Sequence, residues 1–291
     1  MSETIGVIGL GVMGSAMARN LVGAGHDVLG YDIDPSRLTT LADFGGEPAH
    51  SAGEVSAIAE IVVFSLPTTD ALAVVAGEVA EAGSEGLICL ETGTFPLAAK
   101  EAARDLLAAS GIELLDTPLS GTGLQAADAT LVVFASGSEQ GFERARPVFD
   151  AIGRSTHYLG EFGNGSKMKY VANLLVAVHG LAAAEAHALG IAAGLDPGRV
   201  QEVMEDGVGS SKIFEIRGPM MVADDYPAAA RLDILLKDSR IIREFARSVG
   251  APTPLLDATV PNYEAASAAG LGDLDAAALC RYLEELGGLE R

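Results

Sequence analysis

The sequence predicts an α/β fold: a doubly wound parallel sheet in the first half, then an all-α domain, the two joined by a long helix. Three observations carry this. Short β-prone runs alternate with helical patterns from Thr4 to about Gly160, with Gly or Pro at many of the joints. Ile61-Val62-Val63-Phe64-Ser65-Leu66 is a continuous apolar run, the mark of a strand buried on both faces of a parallel sheet. Beyond Gly160 no convincing strand remains, and long Ala/Leu/Val-rich helical patterns follow. The expected domains are 1–160 and 161–291.

In order, the first strand is Ile5, Val7 and Ile8, stopped by Gly9, and a helical pattern follows at once through Ser15-Ala16-Met17-Ala18-Arg19-Asn20-Leu21. Gly9, Gly11 and Gly14 between them spell G-x-G-x-x-G. Gly9 permits the tight turn, Gly11 lets a pyrophosphate approach the backbone, and Gly14 lets the helix pack on the strand. The helix start offers N–H groups and a positive dipole end to phosphates. A second strand, Asp27-Val28-Leu29-Gly30-Tyr31, ends on Asp32, 21 residues past Gly11, where a ribose-binding acid is expected. Strand, glycine turn, helix, strand and acid together predict a Rossmann dinucleotide site, with Gly9, Leu10, Gly11, Val12, Met13 and Gly14 around the pyrophosphate. Asp32 also repels a 2′-phosphate, and the first base after it is Arg37, so NAD is expected over NADP. A second reading of Asp32, as cap of the helix beginning near Pro35, is compatible with the first.

Pro35 to Phe44 reads as a helix closed by Gly45-Gly46, and Ser51 to Glu60 as another, with Glu54 completing a capping box. The apolar strand ends at Pro67, and Thr68-Thr69-Asp70 cap the next helix. Gly86 to Leu90 is a strand leading into Glu91-Thr92-Gly93-Thr94, a helix runs from about Pro96 to Ser110, and Ile112 to Asp116 is a further strand. Leu66, Pro67 and Thr94 therefore lie at strand ends that should line the ligand crevice. Thr130 to Ala135 and Ser155 to Leu159 are expected to complete the sheet region. Helices follow at about Ser166–Gly194, Pro197–Asp206, Ser211–Met221, Leu232–Val249, Thr253–Ala269 and Asp275–Leu286. The first is apolar almost all round, which predicts a central helix partly at a subunit interface, hence a homodimer or homotetramer.

The formal charge of −21 disfavours nucleic acid and anionic membranes as partners. It also means that an anionic substrate needs local cations, and the chain has five lysines: Lys100, Lys167, Lys169, Lys212 and Lys237. The longest apolar runs are broken by charge or too short to span a bilayer. No basic-then-apolar leader precedes Ile5, and Cys89 and Cys280 stand apart in sequence, so a cytoplasmic, reducing location is expected. No His/Asp/Cys spacing suggests a metal.

Four segments in order resemble the β-hydroxyacid dehydrogenases, and together they cover nearly the whole chain. Gly9 to Leu21 reads G-L-G-x-M-G-x-x-M-A-x-N-L. Asp116-Thr117-Pro118-Leu119-Ser120-Gly121-Thr122-Gly123 is similar to that family's D-x-P-x-S-G substrate loop. Gly163 to Asn173 matches its G-x-G-x-x-x-K-x-x-x-N segment, and Leu236-Lys237-Asp238 resembles its late K-D element. The resemblance implies hydride transfer between NAD and a small hydroxy or oxo acid, with Lys169 as general acid/base. It implies that Asn173 holds the substrate, that Ser120 with the N–H groups of Gly121 and Thr122 binds the carboxylate, and that Lys237, held by Asp238, serves substrate and cofactor.

Independent of that resemblance, Lys169 and Asn173 are four apart and share one helix face. A lysine at the buried start of an apolar helix is poorly solvated and close to positive backbone dipoles, and both favour its neutral form. Plainer readings stand beside these. Lys167 competes with Lys169, Ser120-Gly121 is alternatively a bare turn, and Lys237-Asp238 are alternatively exposed charges. His179 and His187 are expected to pack rather than ligate, and the methionines near 220 to lie in the core. Where many members carry Phe seven residues before the late lysine, this chain has Ala230. Gly209 to Arg217 looks most like the L-threonate dehydrogenase branch, in which Ser211 or Lys212 would meet the hydroxyls of a larger sugar acid. The rival readings are an imine reductase, a 6-phosphogluconate-type enzyme, an aldehyde-acid (glyoxylate or succinic semialdehyde) reductase, and a regulatory nucleotide-binding protein without turnover.

Overall fold

The computed structural model describes residues 3–289. They divide into two compact units, one running to Lys169 and the other beginning at Tyr170, so the division falls inside the long helix. In the first unit, strands β1 (Thr4–Ile8), β2 (Asp27–Tyr31), β3 (Glu47–Pro48), β4 (Ile61–Phe64), β5 (Ile88–Glu91) and β6 (Glu113–Asp116) form one sheet. Its order is β3-β2-β1-β4-β5-β6, and every pairing is parallel. Helices α1 (Val12–Gly23), α2 (Pro35–Asp43), α3 (Ala52–Ile58), α4 (Thr69–Ala82) and α5 (Leu97–Ala108) cross between them.

The apolar run in β4 shows why the sheet is buried on both faces. Side chains alternate across a strand, and here Ile61 and Val63 enter one core with Met17 and Leu21, whereas Val62 and Phe64 enter another with Val55 and Leu72. Reversal of the strand order between β1 and β4 opens the crevice in which this architecture binds ligands, at the carboxyl ends of the strands.

The segments expected to complete this sheet do not join it. β7 (Leu119–Ser120), β8 (Leu131–Ala135) and β9 (Gly153–Tyr158) form a separate mixed sheet, with α6 (Gly123–Ala127) and α7 (Glu139–Ile152) in its connections. The two sheets touch through an antiparallel bridge between Asp116 and Ser136. The long helix α8 (Asn164–Ala192) begins in the first unit and continues into the second.

The second unit adds α9 (Pro197–Glu205), α10 (Lys212–Ala223), α11 (Leu232–Ser248), α12 (Pro254–Ala266) and α13 (Leu279–Gly287). Its core gathers Tyr170, Ala177, Leu181 and Ala184 of α8 with Phe214, Met221, Leu236, Val260 and Tyr263, so Met221 is a core residue as expected. By length and composition alone α8 is apolar enough to cross a bilayer, contrary to the reading of the apolar runs as too short or too charged. Its buried face is nevertheless matched to protein: Asn173 and His187 have side-chain partners there, and the alanines and leucines pack in the core.

Candidate active site

The glycine turn is built from close contacts. Gly9 has a φ of +91°, its N–H donates to Tyr31 O at 2.9 Å, and a Cβ there would fall 2.3 Å from Ser65 O. A Cβ on Gly14 would fall on Gly9 O, so α1 sits directly against the turn. Gly11 differs, because nothing comes nearer to its missing Cβ than Arg37 Nη1 at 3.6 Å. No side chain caps α1, and no acidic residue stands in its first turn. A bare helix start beneath an open glycine suits a diphosphate, and Leu66 comes within reach of the same turn through its Cδ2.

Asp32 follows β2 and is nearly enclosed. Its Oδ2 accepts from Leu10 N at 2.6 Å and from Arg37 Nη1 at 3.1 Å, and its Oδ1 accepts from Asp34 N at 2.9 Å. The carboxylate thus ties the end of β2 to the glycine turn. It does not cap α2: that role falls to Asp34, whose side chain accepts from Ser36 N. Arg37, noted in the sequence only as the first base after Asp32, lies against that carboxylate.

Ser120 ends β7, and Gly121 at φ +146° turns the chain into α6. The Thr122 N–H already donates to Gln125 Oε1 at 2.9 Å, so it is not a free carboxylate donor as expected; Ser120 and Gly121 remain for that task. This loop lies beside the cofactor helix, since a Cβ on Gly123 would fall 2.7 Å from Val12 Cγ1. Lys169 is buried, at 9% exposure, in the second turn of α8, whereas its rival Lys167 is exposed and bonded to Asn164 Oδ1. The start of α8 is not the bare dipole expected. Asp116 Oδ2 accepts from Ser166 N at 2.7 Å and its Oδ1 from Ser166 Oγ at 2.8 Å, which offsets the positive end.

In the second unit, Asn173 Nδ2 donates to Asp238 Oδ2 at 2.8 Å, and Lys237 Nζ pairs with Asp238 Oδ1 at 3.0 Å. That bond fixes the Asn173 amide orientation and leaves its oxygen as the acceptor. Asp238 is buried, with Oδ2 bonded to Asn173 and Oδ1 in the ion pair with Lys237. Ser211 caps α10 by accepting from Phe214 N, and exposed Lys212 pairs with Glu215. His187 stacks on Phe214 and bonds Gln201, a packing role. No cluster suited to a metal occurs among the described residues.

Comparison with known proteins follows the same division. Residues 4–160 match the profile described as the NAD binding domain of 6-phosphogluconate dehydrogenase. Residues 163–283 match the NAD-binding profile of NADP-dependent 3-hydroxyisobutyrate dehydrogenase. The chain belongs to the β-hydroxyacid dehydrogenase family. L-threonate dehydrogenase of Cupriavidus necator is 36% identical over 97% of this chain and 96% of its own length. The 3-hydroxyisobutyrate dehydrogenase of Pseudomonas aeruginosa is 34% identical over 86% and 88%. A solved 3-hydroxyisobutyrate dehydrogenase from Salmonella typhimurium superposes with a TM-score of 0.89, at 31% identity, covering 97% of this chain and all of that one. The family is one of NAD(P)-dependent oxidoreductases, and the open glycine turn is where this member would hold the nucleotide.

Sequence reasoning about this hydroxyacid dehydrogenase missed Glu91 and Lys100. Both are fully buried at the carboxyl edge of the sheet, where Lys100 pairs with Glu91 and Asp116. A signal was available: Lys100 stands three residues before Ala103 and seven before Leu107, on the buried stripe of α5.

Proposed function

We propose that the protein is an NAD-dependent dehydrogenase of a small hydroxy acid, with Lys169 as its general acid/base. The observation that carries this is a buried lysine in the second turn of a helix whose start is bonded to Asp116, at the carboxyl edge of the dinucleotide-binding sheet. NAD held at the glycine turn and Asp32 would supply the acceptor for the hydride, with its electron pair, that leaves the substrate's carbinol carbon. Lys169 Nζ takes the hydroxyl proton as the carbonyl forms, or returns it in reduction. Asn173 has a second Nδ2–H beyond the one given to Asp238, and it donates to the substrate hydroxyl oxygen, leaving the hydroxyl's single proton for Lys169. Ser120 Oγ and the Gly121 N–H bind the carboxylate, and Lys237, steadied by Asp238, adds a cation. Asp32 next to the glycine turn favours NAD.

An L-threonate-type sugar acid is the substrate class this reading favours, on the full-length similarity to L-threonate dehydrogenase and on Ala230 leaving room for a longer chain. The exposed apolar stripe Val171, Leu175 and Leu189 on α8 supports a homo-oligomer. Cys89 and Cys280 are both buried thiols, which suits a reducing cytoplasm. The test is a panel of L-threonate, 3-hydroxyisobutyrate, glycerate and 4-hydroxybutyrate with NAD and NADP, run on wild type and Lys169→Ala. Turnover should fall by about 10²–10⁴-fold in the variant, with NADH binding retained. Near-normal turnover refutes the role of Lys169, and NADH binding without activity on any hydroxy acid favours a regulatory protein.

A further inference from the structure

Glu91, Lys100 and Asp116 form a charge cluster with fully buried side chains, and none of the roles above uses it. Lys100 Nζ lies 2.7 Å from Gly93 O, 2.5 Å from Glu91 Oε2 and 2.8 Å from Asp116 Oδ1. An ammonium has three protons, and three acceptors surround this one. Burial alone would lower the pKa of Lys100, but the two carboxylates outweigh it and hold the amine more basic than an ordinary lysine.

Two segments are fastened to this cluster. One is the loop after β5, where Gly93 donates its N–H to Glu91 Oε1 at 2.8 Å and lends its carbonyl to Lys100, one residue before Thr94. The other is the start of α8. Ser166 meets Asp116 through both N–H and Oγ, while Ser136 Oγ donates to Asp116 Oδ2 at 3.2 Å and accepts from Gly165 N at 2.9 Å. There is no slack at this point, because a Cβ on Gly165 would fall 2.3 Å from Phe134 O. Lys169 follows Ser166 by three residues, just under one turn. Two carboxylates against one ammonium leave an excess negative charge, and it sits at the positive end of a 29-residue helix.

Resting on the reading of Lys169 as the proton carrier, we propose that Asp116, backed by Lys100 and Glu91, is a positioning residue. Through Ser166 it fixes the first turn of α8 relative to the 92–94 loop and so sets where the Lys169 amine stands. A displacement of about 1 Å at such a group can cost on the order of a hundredfold in rate, which gives the buried cluster a catalytic consequence beyond holding the sheet edge together.

The test uses Asp116→Asn, Ser166→Ala and Ser166→Thr in the full chain. Asp116→Asn keeps the Lys100–Glu91 pair but turns an amide N–H₂ towards one of its present donors. Ser166→Ala removes only the hydroxyl arm and serves if Asp116→Asn fails to fold. Folding is read by circular dichroism and NADH affinity by the fluorescence of NADH itself, since the chain has no tryptophan. Lys169 is followed without turnover by trace acetylation with acetic anhydride across pH, read by peptide mass spectrometry. In Asp116→Asn and Ser166→Ala, kcat should fall at least about tenfold with the substrate KM and NADH affinity within about threefold. The pH midpoints of kcat and of Lys169 labelling should shift together, and Ser166→Thr should restore both. A lowered melting temperature with kcat, pH profile and Lys169 labelling unchanged overturns the proposal. If the wild type oxidises no hydroxy acid the functional reading falls, while the labelling midpoint still decides whether Asp116 sets the state of Lys169.

Discussion

Replacing Lys100 with Met removes the cation between Glu91 and Asp116 and leaves both carboxylates inside the protein. Breaking a buried pair in this way costs about 3–5 kcal/mol, mainly because charge is left uncompensated. Which carboxylate yields is set by the remaining donors. Asp116 keeps Ser166 N, Ser166 Oγ and Ser136 Oγ, whereas Glu91 keeps the Gly93 N–H. Burial already pushes the pKa of Glu91 above its ordinary value, with Lys100 acting against it. Without Lys100 it rises further, and Glu91 takes up a proton on folding. The unfolded chain then ionises first as pH rises, so stability falls from the unfolded value of 4.5 upward until folded Glu91 also ionises. In the wild type the Lys100 contribution is fully present below its unfolded value of 10.5 and is lost only as pH rises through its raised folded value, so it stays constant between pH 5 and 8. The defect in Lys100→Met should therefore be small near pH 5 and grow by about 1.4 kcal/mol per pH unit towards that 3–5 kcal/mol ceiling. Urea unfolding followed by circular dichroism at about pH 5 and pH 8 measures it, and adding Glu91→Gln should flatten the dependence. A defect below about 1 kcal/mol at the higher pH, or one equal at both, refutes the reasoning.

Two further outcomes follow from the same structure. Arg37 is the cation lying against Asp32 at the adenosine side of the glycine turn, so Arg37→Ala should weaken NADPH binding by about tenfold or more and NADH binding by less than about threefold, measured by nucleotide fluorescence titration. Equal losses for the two nucleotides would show that Arg37 only braces Asp32. Tyr263 is buried, and burial raises its pKa from 10.0 to about 12. The unfolded chain loses that proton first, so between those values stability should fall by roughly 2–3 kcal/mol; this part of the alkaline loss should be absent from Tyr263→Phe in denaturant titrations across the range.

Much of the fold was legible because period and punctuation agree. The unbroken apolar run of β4 required two covering layers, and Ser51 with Glu54, and Thr68, marked helix starts that the structure caps with those side chains, whereas the helix at Pro35 is capped by Asp34 and not by Asp32 as read from sequence. The small second sheet was misassigned for a physical reason. β8 is as apolar as a central strand, yet its neighbours are fixed by the Asp116–Ser136 bridge and by β7, a two-residue strand whose pairing no periodicity announces. The helix α7, missed altogether, carries Pro147 and five charged residues, which hide its apolar face from a reading by composition.

The site was legible where function needs a residue type and illegible where it needs a neighbour. Gly9, Gly14 and Lys169 are marked by spacing, because a turn, a helix contact and a helical face each impose one. Asp116 and Asp238 stand inside recognisable motifs, and the resemblance already gave Asp238 to Lys237, but spacing cannot show that Asp116 holds the start of α8 or that Asp238 also holds Asn173. Lys100 gave a mixed signal, since its place on the apolar stripe of α5 marks it as buried while a charge on a helix is ordinarily solvated. A chain with net charge −21 has carboxylates in excess, and at these points it uses them inwardly. Asp32 ties down the glycine turn, Asp116 the start of the Lys169 helix, and Asp238 both Asn173 and Lys237. Each therefore settles the position of a partner whose own chemistry the motifs disclose. Neutralising any one of the three should consequently disturb the group it holds more than the charge balance of the surface.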